Sequence, residues 1–241
     1  MDVVQRFSDH FDSLSDHEDL AGQRLLPSRL AMACAQAIPA SGAGLSLRTS
    51  YIRIPVGASN VAASTAERLE FTVGEGPCSQ ANATRRLVVA DPDVLSRQWP
   101  RFQEMLYGAT TIRAVVSLPI TAGRSGMGTL DLYFDHPDEL KAVLVTEILA
   151  VADQVTERLA GGPLNLPGSL GSPPKWLNGP ASGARRLVPA AMGMVTAKTG
   201  MNFSDALATL RARAYSCDRT VDDLASDIVA GTIDILSTDQ E

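Results

Sequence analysis

Residues 114–134 read AVVSLPITAGRSGMGTLDLYF. Two apolar runs flank the segment TAGRSG at 121–126, which contains glycine. An apolar run, a glycine-bearing turn and a second apolar run in direct succession are typical of two antiparallel strands joined by a tight connection. The stretch therefore predicts a β-hairpin.

Shorter β-like runs precede this hairpin, namely GLSLRTS at 44–50, YIRIPV at 51–56 and RLVVA at 86–90. A helix is predicted near 20–38, before the first of these runs. Because strands and helices both occur in the first 160 residues, the predicted fold class is α+β.

A second helix is predicted after His136, where Pro137 can open it. Apolar residues then recur at steps of three and four, as expected for one helix face, at Leu140, Leu144, Ile148, Val151, Val155 and Leu159. Such a stripe packs on its own sheet or pairs in part with the same helix of a second subunit. The pattern is too short to separate these alternatives.

The overall composition is that of a folded chain. The 241 residues include 21 Lys plus Arg and 27 Asp plus Glu, a net charge of −6, with 45% hydrophobic and 20% charged residues. These proportions exclude global disorder. No apolar run approaches the roughly 18 residues of a membrane-spanning helix, and the acidic N-terminus is unlike a signal peptide. We therefore expect a cytoplasmic protein that does not contact membranes.

The cysteines predict neither a disulfide framework nor a metal site. Cys34, Cys78 and Cys217 are odd in number and widely spaced, without a CxxC pair. No histidine lies near them in sequence, so no metal ion is expected.

Residues 161–183, GGPLNLPGSLGSPPKWLNGPASG, are dense in Gly, Pro and Ser. This composition predicts a flexible linker between a first domain at 1–160 and a second at 184–241. Because a flexible tether transmits little torque, the domains would communicate by docking and release or through dimerisation.

The second domain is predicted to be an all-α bundle of three helices. The first spans about 186–198 and is closed by Gly200. The second begins near Phe203, capped by Asn202 or Ser204, and the third follows Thr220, whose spacing to Asp223 resembles a capping box. A bundle of about 60 residues is marginally stable alone, so support from a partner is expected.

Charge is unevenly distributed within this second domain. Residues 185–219 contain six basic and two acidic side chains, whereas 220–241 contain six acidic and no basic ones. Such polarisation suits a surface that orients a polyanion, although solvated faces of an ordinary bundle would show it too.

The stretch RRLVPAAMGMVTAKTGMNFSDALATLRARAYSCDRTVDDLASDIV at 185–229 resembles an ANTAR domain. The matching residues are Ala191, Gly193, Met194, Ser204, Ala206, Leu210, Arg211, Ala214, Arg219, Leu224 and Ala225. The resemblance implies a homodimer, or paired modules, that binds two hairpins in the leader of a nascent mRNA. The terminator that would use part of that RNA then cannot form, so transcription continues.

Hairpin loops present splayed bases and closely spaced phosphates, which arginine, hydroxyl and aromatic side chains recognise. The expected RNA contacts are Lys198, Ser204, Arg211, Arg213, Tyr215 and Arg219, with Ala191 and Gly193 where backbone and RNA approach closely. Tyr215 could equally cap the bundle core and Arg213 could be merely solvated. Met192 stands where the family usually has lysine, and Pro189 interrupts the start of the first helix.

Residues 20–160 resemble a GAF domain. The motifs that carry the likeness are GAGLSLR at 42–48, GEGPC at 74–78, VVADPDV at 88–94, QWPRF at 98–102 and the hairpin. The resemblance implies an antiparallel sheet with helices on one side and dimerisation through terminal helices. It also implies a sensor of small molecules or redox state, without a defined cofactor.

Cys78 is the candidate sensing residue. It precedes a short predicted helix, SQANATRR at 79–86, and a helix N-terminus would lower its thiol pKa and favour oxidation. The alternative is a small residue packed beside a tight turn.

The leading hypothesis is a non-enzymatic, signal-responsive RNA-binding regulator that promotes transcription antitermination. One alternative is a thiol redox enzyme or sensor that uses Cys78, for instance a sulfoxide reductase, although no resolving cysteine is evident nearby. Another is a protein-interaction module whose bundle has lost RNA binding, which Met192 and Pro189 would explain.

Overall fold

The computed structural model describes residues 2–49, 52–122, 125–160 and 174–234. The strands are β1 (Gly42–Arg48), β2 (Arg53–Ala58), β3 (Val88–Ala90), β4 (Ala114–Ala122) and β5 (Ser125–Phe134). The helices are α1 (Val3–Ser15), α2 (Leu26–Ala37), α3 (Val61–Val73), α4 (Pro77–Thr84), α5 (Pro92–Gln98), α6 (Pro100–Ala109), α7 (Val145–Ala160), α8 (Val188–Thr199), α9 (Phe203–Ser216) and α10 (Val221–Ala230). The predicted α+β class and all five predicted strands are confirmed.

The strands form one antiparallel sheet in the order β2-β1-β5-β4-β3. The predicted hairpin is its centre: Ala114 pairs with Phe134 and Leu118 with Leu130 across β4 and β5. Strand β1 then pairs with the other edge of β5. The hairpin therefore lies within the sheet, with β1 and β2 on one side of it and β3 on the other.

Helices cover both faces of this sheet, whereas the GAF resemblance implied helices on one side. Because successive side chains of a strand point to opposite faces, β5 sends Leu130 and Leu132 to one face and Thr129, Asp131 and Tyr133 to the other. The first face packs in an apolar core with α1, α2 and α7. The second face carries α3 and α4. Polar side chains of the strands are buried on this second face, and the candidate site is therefore located there.

Helix α2 occupies most of the segment predicted near 20–38, and short 3-10 turns precede it. The helix α1 is not among the elements predicted above; its buried residues Val3 and Phe7 join the first-face core. After Pro137 the chain forms a 3-10 helix over Pro137–Ala142 and only then α7.

The apolar stripe of α7 packs on its own sheet over most of its length. Ile148, Val151, Val155 and Leu159 are buried in the first-face core. Leu144, predicted to share this stripe, lies just before α7 and is 61% exposed. The packing interpretation is therefore supported, and pairing with a second subunit stays a prediction.

The C-terminal segment forms the three predicted helices, and a predicted capping residue lies at one end of each helix. Gly200 closes α8 with φ of 74°. Asn202, rather than Ser204, caps α9 by accepting a hydrogen bond from the backbone N–H of Asp205. Thr220 caps α10 by accepting from the N–H of Asp223 at 3.2 Å. Local side-chain chemistry therefore sets these helix ends.

The two departures from the ANTAR pattern fit the bundle. Pro189 lies in the first turn of α8, where a missing N–H costs nothing, and a 3-10 turn over Ala184–Leu187 leads into it. Met192 is 2% exposed in the bundle core. A lysine at that position would bury its charge in this arrangement of the helices.

The predicted linker 161–183 is described only from residue 174 onward; residues 161–173 lie outside the described ranges. From 174 the chain differs from a flexible tether, since it forms 3-10 turns over Lys175–Asn178 and Pro180–Ser182. Trp176 is buried in the first-face core, and the Arg24 guanidinium donates to the carbonyl of Asn178 at 2.9 Å. Burial of the large indole explains why this part packs despite its composition.

Candidate functional site

A group of polar side chains is buried on the second face of the sheet. We call it the buried polar cluster; its members are Ser46, Arg53, Glu67, Glu70, Cys78, Ser117, Thr129, Asp131 and Tyr133. The cluster is assembled from β1, β2, β4, β5, α3 and α4, so residues distant in sequence meet there.

Cys78 lies in the first turn of α4 and is fully buried. Its Sγ is 2.6 Å from Nη1 of Arg53 and 2.7 Å from Oγ1 of Thr129. Burial raises the pKa of the Cys78 thiol well above its usual value, and the opposing effect of Arg53 is smaller. The shift is opposite to the lowering predicted from the helix N-terminus, because desolvation outweighs it. The packed-residue interpretation fits this environment better.

Three carboxyl groups share the cluster with one guanidinium. Arg53 forms an ion pair with Glu67 at 3.0 Å and lies 3.8 Å from Asp131. Glu70 accepts from the backbone N–H of Ser79 at 2.8 Å and thereby anchors the start of α4. Tyr133 donates its hydroxyl to Glu67 at 2.8 Å.

Burial raises the pKa of Asp131 well above its usual value, and the nearby Glu67 and Glu70 add to the shift. Burial also raises the pKa of Glu70. Neither carboxyl oxygen of Asp131 has a hydrogen-bond partner within the described residues, and the same holds for the Ser117 hydroxyl. One arginine cannot neutralise three buried carboxylates, so we infer that Asp131 is the group that stays protonated.

The cluster offers little for thiol redox chemistry between cysteines. Cys34 lies in the core on the other face of the sheet and Cys217 is exposed next to α9. All three cysteines are free. Within the described ranges, no group of three or more His, Cys, Asp and Glu side chains is arranged to hold a metal ion.

The C-terminal bundle packs against α3 through Phe71. This ring is buried in the same apolar cluster as the cores of α8, α9 and α10. The Cζ atom of Arg185 lies 3.5 Å from the ring centroid and that of Arg211 lies 4.9 Å from it. The Arg211 Nε also donates to the Phe71 carbonyl at 2.9 Å. Phe71 is thus the central contact between the two segments.

Polar contacts surround this ring. Arg185, on the 3-10 turn before α8, forms a buried ion pair with Asp222 at 2.6 Å and donates to the carbonyl of Arg53 at 2.7 Å. The backbone N–H of Val221 donates to Thr72 Oγ1 at 3.0 Å. A further contact joins the guanidinium of Arg68 to Thr220 at 2.7 Å and to Asp223.

The predicted RNA contacts have different surroundings in the structure. Arg211 and Tyr215 face the N-terminal segment: Arg211 donates to the Phe71 carbonyl, and the Arg101 Cζ lies 5.9 Å from the Tyr215 ring. Two predicted cations are paired within the bundle: Lys198 lies 3.0 Å from Asp234, and Arg219 lies 2.5 Å from Asp227.

The remaining predicted contacts differ in exposure. Ser204 is exposed, Arg213 is half-buried and Ala191 is buried in the bundle core. Gly193 faces open space, since a Cβ built there would meet no atom within 4 Å.

Several residues of the candidate site are not predicted from the sequence. Asp131 has a usable signal, because a carboxylate inside the apolar run TLDLYF is unusual for a buried strand. Glu67 and Glu70 lie three residues apart on α3 and therefore share a face. Phe71 and Arg185 carry no such signal, since their partners lie far away in the chain.

Comparisons with known proteins concern the fold. No protein-family model matches the sequence, and no curated protein matches it. Solved structures similar to this chain include the GAF domain of an Acinetobacter phosphoenolpyruvate-protein phosphotransferase, with TM-score 0.47 and 10% identity over 66% of this chain and 91% of that one. Another is the free methionine-R-sulfoxide reductase of Neisseria meningitidis in complex with its substrate, with TM-score 0.47 and 15% identity over 66% and 88% of the two chains.

The described part of the chain has no helix of the length and apolar character required to cross a membrane.

Proposed function

We propose that this chain is a signal-responsive RNA-binding regulator. Its first domain is a GAF-type sensor, and its C-terminal bundle is an ANTAR-type module that binds paired hairpins in mRNA leaders and promotes antitermination. The observation that carries the proposal is the bundle itself: three helices with the expected caps, in a segment whose first part holds six basic and two acidic residues. Arginine side chains on short helices are suited to the phosphates and bases of hairpin loops.

The docked arrangement gives the regulator an inactive state. Arg211 and Tyr215 contact the first domain, so RNA cannot use them until the bundle moves away from α3. The apparent RNA affinity is then reduced in proportion to the fraction of molecules in the released state. A signal that weakens docking raises RNA affinity without changing any RNA contact.

Arg53 connects the buried polar cluster to the docked bundle. Its guanidinium contacts Glu67 and Cys78, while its carbonyl accepts a hydrogen bond from Arg185. A small-molecule effector or a proton that alters the ionisation of the cluster therefore acts on the residue that anchors Arg185. The regulator functions in this scheme without a cofactor and without catalysing a reaction.

A homodimer would present two bundles to two hairpins. Apolar side chains remain exposed along α7 and just before it, at Leu144, Val145 and Leu149. These residues are the proposed seam between two copies of the chain. Sedimentation equilibrium tests this point, because Leu149→Glu should shift a dimer to a monomer.

The proposal is tested by fluorescence anisotropy with an RNA that carries two adjacent hairpins. We expect binding that weakens as salt rises, because displaced counterions accompany each phosphate contact. A single-hairpin RNA should bind more weakly, since only one module can engage. Equal affinity for both RNAs and for an unstructured strand would contradict specific recognition of paired hairpins.

A further inference from the structure

A cleft of about 270 Å³ lies where the first domain meets the bundle. Both segments line it: the β1–β2 end of the sheet and α4 on one side, and Arg211 of α9 on the other. Its polar lining includes Arg48, Arg53, Ser79 and Asn82. This cleft is separate from the interior of the buried polar cluster, although Arg53 belongs to both.

The cleft concentrates positive charge. Arg48 and Arg53 are directly paired across the antiparallel register of β1 and β2, so their side chains emerge on the same face. Like charges in this position repel each other. Arg53 is neutralised by Glu67, whereas the exposed Arg48 has no hydrogen bond or ion pair within the described residues.

Arg211 adds a cation for which the described residues provide no acidic partner. Among the described residues its side chain donates only to the Phe71 carbonyl and lies over the Phe71 ring. Burial lowers the pKa of Arg211 to about 10, and the positive charges of Arg185 and Arg53 contribute. The group stays charged at neutral pH, and the charges that shift its pKa belong to other arginines.

We propose that this cleft binds a small molecule bearing phosphate groups, held by Arg48 from the first domain and Arg211 from the bundle. Guanidinium groups match phosphate oxygens through paired hydrogen bonds. Ser79 and Asn82 add neutral polar side chains along α4. The volume lies near the lower end of typical ligand pockets, about 300 Å³, so the ligand is smaller than a drug-sized molecule.

Because the two arginines belong to different segments, the ligand binds the docked form more tightly than the released form. It therefore stabilises docking. In the proposed regulator such a ligand would oppose RNA binding, but its binding to the cleft does not depend on the RNA function.

Isothermal titration of the full chain with inorganic pyrophosphate tests the proposal, with sulfate at matched ionic strength as a reference. We expect pyrophosphate to bind and to raise the Tm, and Arg48→Ala to weaken binding about tenfold or more. Arg48 is exposed, so this variant keeps the fold. Arg97→Ala, an exposed arginine on α5, is the matched control and should bind like the wild type.

Absence of pyrophosphate binding by the wild type would overturn the proposal. Equal binding by wild type and Arg48→Ala would also overturn it, because the ligand would then occupy another basic surface. A second variant, Arg211→Gln, should lose both the binding and the rise in Tm. If pyrophosphate binds in this way but hairpin RNA does not bind, the proposed phosphate site in the cleft is retained and the proposed RNA-binding function is refuted.

Discussion

Replacing Phe71 by alanine should release the bundle from the first domain. The ring is 3% exposed and packs in the core of the bundle rather than in that of its own domain. Truncating a buried phenylalanine typically costs about 3–5 kcal/mol. Each of the two guanidinium contacts with the ring adds about 0.5–2 kcal/mol. Most of this loss falls on docking, because Phe71 contributes its side chain to the contact between the segments.

A loss of about 3 kcal/mol shifts the equilibrium between docked and released forms about 100-fold. Small-angle scattering measures the outcome, since a compact chain of this length has a radius of gyration of about 18 Å. We expect the wild type near that value and Phe71→Ala clearly above it. RNA affinity should rise in parallel, by up to about 100-fold, until the bundle is fully released.

Val61→Ala is the matched control, because Val61 lies on the same helix and is 83% exposed. It should leave scattering and RNA affinity unchanged. Phe71→Leu keeps apolar volume but loses the contacts between guanidinium and ring. Its radius of gyration and its RNA affinity should therefore lie between those of wild type and Phe71→Ala. If Phe71→Ala stays folded and its scattering equals that of the wild type, the docking role of this residue is refuted.

Three further predictions concern buried groups. Asp222→Ala leaves the buried Arg185 without its acidic partner, so urea unfolding should show a loss of stability of about 3–5 kcal/mol. The exposed Asp153→Ala on α7 is the control and should change stability little. A small loss in both variants would contradict the ion pair. The raised pKa of Asp131 means that its contribution to stability is present below the unfolded pKa of about 4 and is lost as pH rises through the folded pKa. Above pH 4, the free energy of unfolding of the wild type should therefore fall relative to that of Asp131→Asn by up to about 1.4 kcal/mol per pH unit. If urea titrations show the same dependence of stability on pH for both proteins, the raised pKa of Asp131 is excluded. A thiol reagent at pH 8 should modify exposed Cys217 quickly and Cys78 only on unfolding; fast modification of Cys78 in the native protein would contradict its burial and raised pKa.

The sequence predicts those parts of the fold that depend on local patterns. The hairpin at 114–134 follows from two apolar runs around a turn, and the Thr220 cap follows from its side chain and its spacing to Asp223. For α9 the sequence narrows the cap to Asn202 or Ser204, and the structure shows Asn202. Each of these features is decided by residues within a few positions of one another. The prediction of α+β architecture succeeds for the same reason.

The features that the sequence leaves out depend on contacts between distant residues. Trp176 is buried in the first-face core although it lies in a Gly/Pro/Ser-rich stretch. The pKa of Cys78 is decided by burial rather than by the start of α4. Docking depends on Phe71 and on arginine side chains that meet it from more than 100 residues away. Local periodicity and charge do not report such pairings, so the candidate site is found only in three dimensions.

Crosslinking the protein to RNA in cells, followed by sequencing of the attached transcripts, tests the proposed function most directly. We expect fragments from mRNA leaders in which two adjacent hairpins lie upstream of a terminator, and more of them with Phe71→Ala than with wild type. Attached RNA without paired hairpins, or no attached RNA for either protein, would contradict the account.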